Sequence, residues 1–214
     1  MTITKFGHCC LLLETKGKRI LVDPGRFSEA QNTLTEIDII LITHEHADHY
    51  HSESVSMLLQ HNPDAIVVTN TSVAKLLNEL GVETHILEGR ETATVVDVPL
   101  AAYDGPHVEI FEEFGLVQNT GYLVDGSFFF PGDAYTVPGV PVKILALPVA
   151  GPWCKASDAL NYALAVKPEV AIPVHDATLS AVGKEVTYGL FARELPKHAI
   201  RFTPLEAGEP QSFD

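Results

Sequence analysis

Basic residues are scarce in this chain of 214, with 14 Lys and Arg against 28 Asp and Glu and a formal charge of −14. Gripping a phosphate backbone relies on clustered Lys and Arg, so no nucleic-acid partner is expected. Cysteine is equally scarce. Cys9, Cys10 and Cys154 supply neither an even disulfide framework nor a C-x-x-C metal pair, and they read as buried apolar thiols. No apolar run approaches the roughly 18 residues that span a bilayer. Met1 to Gly7 lacks the basic-then-apolar pattern of a secretory leader. The expected setting is the cytoplasm, with no membrane partner.

What the chain does have is core material, 46% hydrophobic against 20% charged residues, enough for one sizeable domain over 1–214. Short β-type runs lead: Ile3 to Phe6, Leu11 to Thr15, Arg19 to Asp23, Ile37 to Thr43 and Ile66 to Thr69. Helical windows at Ser52 to Gln60 and Ser72 to Leu80 interleave, each opening on a Ser suited to cap a helix, and Gly81 stops the second. Strands return at Thr84 to Leu87, Thr94 to Tyr103, Gly121 to Val124 and Phe128 to Phe130, the last two joined by the hairpin signal Asp125-Gly126. Ile144 to Leu147 and Val170 to Val174 read as strands, Ser157 to Val166 and Val182 to Glu194 as helices. Strands followed by helices in both halves predict an α+β fold, a four-layer αβ/βα sandwich of two mixed β-sheets with outer helices. The stretch 205–214, with Gly208, Pro210 and Ser212, is expected to be a loosely held tail.

His44-Glu45-His46-Ala47-Asp48-His49 packs three imidazoles and a carboxylate into six residues, on the loop between a strand and a helix. Such donors suit zinc, manganese or iron, whereas structural zinc sites lean on thiolates. Alternation along an extended segment sets His44 and His46 on one side, and the turn into the helix swings Asp48 and His49 toward a neighbouring point. One loop can thus serve two metals. Further donors stand where apolar strands end: His107 in Asp104-Gly105-Pro106-His107, Asp133 in Pro131-Gly132-Asp133, and His175 in Pro173-Val174-His175.

With these residues in place the chain resembles the metallo-β-lactamase superfamily, whose H-x-H-x-D-H signature His44, His46, Asp48 and His49 match in full. The resemblance implies that His44, His46 and His107 hold one divalent ion and Asp48, His49 and His175 a second, with Asp133 bridging them. Phe6-Gly7-His8 and Leu21-Val22-Asp23-Pro24 look like the branch of the ascorbate-6-phosphate lactonases and related metal-dependent hydrolases. In that branch the Gly-His approaches the metals, so His8 is a candidate ligand or ligand contact; a structural histidine at a strand bend is the alternative. Asp23 is either an acceptor orienting an imidazole or a turn-forming Asp-Pro. His51, His61, His85 and His198 read as surface or structural residues.

The implied reaction is hydrolysis of an ester, lactone or phosphodiester bond by a metal-bridging hydroxide, which Asp48 or Asp133 orients and His8 assists. Two divalent ions are the implied cofactors, zinc first, with manganese or iron as the other fits. A small-molecule substrate is expected. Trp153 and Lys155 are candidates to stack on and neutralise an anionic one, with Tyr135 at the rim; plain packing and a solvated charge are the alternatives. A homo-oligomer is left open. The competing reading is a non-catalytic sensor or scaffold that keeps the ligand set.

Overall fold

The computed structural model describes residues 1–214. Its strands in chain order are β1 (Thr2–Gly7), β2 (Cys10–Thr15), β3 (Lys18–Val22), β4 (Ile39–Leu41), β5 (Ile66–Thr69), β6 (Thr84–Ile86), β7 (Thr92–Val95) and β8 (Val98–Pro106). They continue as β9 (Gln118–Val124), β10 (Phe128–Phe130), β11 (Ile144–Pro148), β12 (Val170–Val174), β13 (Arg201–Phe202) and β14 (Pro210–Ser212). One sheet runs β14-β1-β2-β3-β4-β5-β6 and the other β13-β12-β11-β10-β9-β8-β7. Both are mixed: β1 to β3 and β7 to β10 pair antiparallel, while β3 to β6 and β10 to β13 pair parallel.

Period-two alternation explains the layering. Ile20, Val22, Ile39 and Leu41 of the first sheet meet Phe128, Phe130, Ile144 and Ala146 of the second in one buried cluster between the sheets. Their strand neighbours Leu21, Ile40, Phe129 and Leu145 point the other way into two outer clusters. Strands buried on both faces read as continuous apolar runs, as these do. The outer faces are covered by α1 (Ser52–His61) and α2 (Thr71–Glu79) on the first sheet, and by α3 (Ala156–Val166) and α4 (Ala181–Glu194) on the second. The four-layer sandwich is the expected one, and no helix is long and apolar enough to cross a membrane.

Three local expectations are corrected. Neither Ser52 nor Ser72 caps its helix: His51 occupies the first cap without accepting a backbone N–H, and Asn70 caps α2 by accepting the Val73 N–H at 3.1 Å. The run Thr94 to Tyr103 is two strands, because Val96 and Asp97 turn the chain at φ 42° and 70°. A β-branched residue rarely adopts that conformation, so the turn carries no sequence signal. The tail from 205 onward is not loosely held. β14 pairs with β1, and Phe213 is buried in the core between the sheets. Gly208 and Pro210 mark a turn into an edge strand.

Candidate metal centre

Every candidate ligand sits where a strand or its loop ends at the same rim of the sandwich. β4 leads into the His44–His49 loop, β8 ends one residue before His107, β10 leads through a turn to Asp133, and β12 ends one residue before His175. Ligating atoms of His44, His46, His107 and Asp133 lie within 4.8 Å of one another, as do those of His8, Asp48, His49 and His175. Asp133 joins the groups, its Oδ2 at 3.3 Å from His107 Nε2 and 3.0 Å from His175 Nε2, and its Oδ1 at 3.1 Å from His49 Nε2.

Tautomers follow from the outer partners. Thr43 spends its only hydroxyl hydrogen on Asp23 at 2.7 Å, so its oxygen accepts from His44 Nδ1 at 3.0 Å. His49 Nδ1 donates to Asp23 Oδ2 at 2.6 Å, and His107 Nδ1 to the Val108 carbonyl at 2.6 Å. Each of these rings is left with a bare Nε2 lone pair facing the centre. Those three Nε2 atoms, both ring nitrogens of His175 and Asp133 Oδ1 are buried without a hydrogen-bond partner. Buried polar atoms are ordinarily paired, so converging lone pairs of this kind fit cations at their focus.

Electrostatics makes the same demand. Burial and the neighbouring imidazoles hold His44 well below the usual histidine range. Burial opposes charge on Asp133, yet His49 and His175 overcome it and hold the carboxyl well below its usual range. Burial likewise opposes charge on His49 and His175, but Asp133 leads the groups that pull both toward the cationic form. The site therefore calls for positive charge.

His8 takes a role the sequence left open. Its Nδ1 accepts the Ala177 N–H at 3.2 Å, so its proton sits on Nε2 and is donated to Asp48 Oδ2 at 3.0 Å. In this arrangement it holds a carboxylate rather than offering a lone pair. His8, Asp23 and His175 all adopt left-handed backbone, at φ 46°, 44° and 61°, a conformation that costs non-glycine residues and gathers at functional sites. The close approach of the loop after β3 also demands Gly25, where a Cβ would lie 1.9 Å from the Asp48 carbonyl oxygen.

Asp23 is fully buried and accepts from Thr43 N, Thr43 Oγ1 and His49 Nδ1. An amide there must turn an N–H toward one of these donors. Asp23→Asn is therefore expected to weaken metal affinity about 10–100-fold, the usual cost of losing a group that orients a ligand. Competition against a calibrated chelator measures it, and unchanged affinity refutes the role.

The substrate candidates divide. Trp153 is 7% exposed and donates its indole N–H to Asp133 Oδ2 at 3.1 Å, while also lining the cavity above the centre. Tyr135 packs edgewise on Trp153 with ring centres 5.6 Å apart, and lines a neighbouring hollow instead. Lys155 is exposed at the start of α3 and does not line the cavity, so the stack-and-neutralise pairing with Trp153 is not formed. Asn119 escaped the sequence reading. Its Oδ1 accepts the Asp133 N–H at 3.0 Å and its Nδ2 donates to the Pro131 carbonyl at 2.9 Å, fixing the turn at Gly132. It stands between Gln118 and Thr120 in the polar start of β9, so no local signal marked it.

Two seven-stranded sheets between helices, with histidines and carboxylates gathered at one rim, define a metal-binding αββα class. Within it, residues 2–175 match the family profile described as a beta-lactamase superfamily domain. The chain belongs to the metallo-β-lactamase superfamily, as a metal-dependent hydrolase. It is 37% identical over 194 residues to protein Rv0786c of Mycobacterium tuberculosis, covering 88% of this chain and 90% of that one. It is 28% identical to the UPF0173 metal-dependent hydrolase Ta0764 of Thermoplasma acidophilum, over 82% of this chain and 83% of the other. Among solved structures, Igni18, a metallo hydrolase from Ignicoccus hospitalis, shares the fold with a TM-score of 0.79 at 20% identity, covering 100% and 98% of the two chains.

Proposed function

We propose that this chain holds two divalent ions, zinc in first place, and hydrolyses an ester, lactone or phosphodiester bond of a small molecule. The observation that carries the reading is the convergence of partnerless imidazole nitrogens and the Asp133 carboxylate on two adjacent points. They lie at the floor of an open cavity of about 400 Å³.

When bound, the ions would activate water at neutral pH and draw charge from the reacting oxygens. His44, His46 and His107 would hold one, Asp48, His49 and His175 the other, and Asp133 both. The chain's own groups supply the order. Asp23 and Thr43 lock the rings of His49 and His44, Asn119 and Trp153 fix Asp133 from two sides, and His8 steadies Asp48. Asp48 is the more accessible carboxylate, its side chain 21% exposed against 3% for Asp133. This accessibility supports Asp48 as the group that accepts a proton from the attacking water.

Dialysis against a chelator is expected to abolish turnover on a panel of lactones, phosphodiesters and esters, with recovery on adding back zinc, manganese or iron singly. Each ion, at a free concentration of about 100 times its Kd, stabilises the fold by about 2.7 kcal/mol. Protein stripped of both should therefore melt about 11–22 °C lower at this size. Full turnover by metal-stripped protein refutes the reading.

A further inference from the structure

The cavity above the centre has one apolar wall that the metal ligands do not need. The segment between β8 and β9 exposes Phe111 and Phe114 at 68% and 70%, and Leu116 at 49%. Exposed apolar clusters of this kind commonly mark recognition sites. The segment is a built turn: Phe114 N–H donates to the Phe111 carbonyl at 2.9 Å, and the two residues form a β-bridge. Gly115 stands at φ 85°, and a Cβ there would lie 2.6 Å from Ile110 Cδ1, so Ile110 packs tightly onto the loop backbone. Ile110 and Phe114 line the cavity on this side, and Pro152 and Trp153 also line it.

Charge sharpens the point. No Lys or Arg lines the cavity, while Glu109, Glu112 and Glu113 are exposed on the same loop. An anionic substituent against this wall, on the side away from the metal ligands, would face aromatic rings with no Lys or Arg side chain to pair with it. An uncharged ring or branched alkyl group would instead cover apolar surface that now faces water.

We propose that the cavity selects substrates bearing an uncharged apolar group, best a ring, held between Phe114 with Ile110 and Trp153, and rejects an anionic substituent on that group. This rests on the hydrolase reading above and names its substrate class. The reaction centre defines the bond; the hood defines what hangs from it.

Trp153 is the only tryptophan, so its fluorescence reports occupancy of the cavity without turnover. Titration of the metal-loaded protein with 4-phenylbutanamide is expected to give a saturable change, and the ring-sulfonated analogue to bind at least about tenfold more weakly, as a site discriminates against an unpaired charge. Phe114→Ala should weaken binding of the neutral probe about tenfold with an unchanged melting temperature, since the side chain is exposed. No saturable signal with either probe, equal affinity for both, or an unaffected Phe114→Ala variant overturns the proposal. Turnover of the matching phenylbutanoate esters separates the two readings. Selective binding with no hydrolysis of any ester leaves the selection by the apolar wall standing and removes ester cleavage from the proposed reaction. Hydrolysis that favours the sulfonated ester does the reverse.

Discussion

Asp133→Ala is expected to leave the protein folded but with reduced metal content, and hydrolysis lowered by more than about 100-fold, beyond the upper cost of losing a group that merely orients a ligand. The carboxylate is where both donor groups meet. Its oxygens lie within 3.0–3.3 Å of the Nε2 atoms of His49, His107 and His175, and Oδ2 is 3.8 Å from that of His44. Without it, imidazoles of both groups face one another with no anion between them, and two dications would repel at short range with one shared negative charge removed. The indole N–H of Trp153 also loses its acceptor, whereas the backbone N–H of residue 133 keeps its bond to Asn119 Oδ1. Elemental analysis after gel filtration, with rates on the same sample, tests this. Two equivalents of metal and an undiminished rate in the variant refute the assignment.

Asp176→Ala is expected to produce the largest loss of stability among residues that are not themselves candidate ligands, about 3–5 kcal/mol, which at this size lowers Tm by about 6–20 °C. Asp176 is 2% exposed and gathers Lys5 Nζ and Lys184 Nζ, each at 2.9 Å, together with the Tyr188 hydroxyl. The two members of the central pair are pushed differently. Burial alone would raise Asp176, but Lys5 leads the donors that hold it down, to about 2. For Lys5 burial wins and lowers the ammonium, because this side chain has one carboxylate and the Pro173 carbonyl at 2.8 Å to offset it. Removing Asp176 strands a buried ammonium, which costs far more than the intact pair contributes. Replacing both partners together, Lys5→Met with Asp176→Leu, should recover much of the loss. Calorimetry of the two variants decides; a single variant melting within a degree of the parent refutes the argument.

The sandwich was legible because its strands carry apolar residues on both faces, as in Ile39 to Leu41 and Phe128 to Phe130, and such runs admit few alternatives. The convergence of the candidate donors was legible for a related reason: loops at strand ends meet at one rim, and His107, Asp133 and His175 each stand within three residues of a strand end. What stayed hidden depends on contacts between distant residues. Lys5 and Asp176 are 171 positions apart, and nothing local marks either as buried. Trp153 is apolar in sequence, and only the fold shows its N–H spent on Asp133. Lys155 misled in the opposite way, since two residues of separation from Trp153 suggested a shared task, but the start of α3 leaves the ammonium exposed beyond the cavity. The last strand failed to register because three exposed residues make an edge strand by backbone pairing alone.

The pairing of β1 with β14 bears on the order in which the fold assembles. The Met1 ammonium donates to the Phe213 carbonyl at 3.0 Å, and Phe213 N–H to the Met1 carbonyl at 2.9 Å. His8 is oriented by Ala177, 169 residues later, and at ordinary synthesis rates about 10–35 s separate the two on the ribosome. The nascent first half thus presents the His44–His49 donors long before His107, Asp133 and His175 exist to enclose an ion. The full donor set therefore comes together only after residues 107–175 have followed, when β1 and its neighbouring turn meet partners from the far half of the fold.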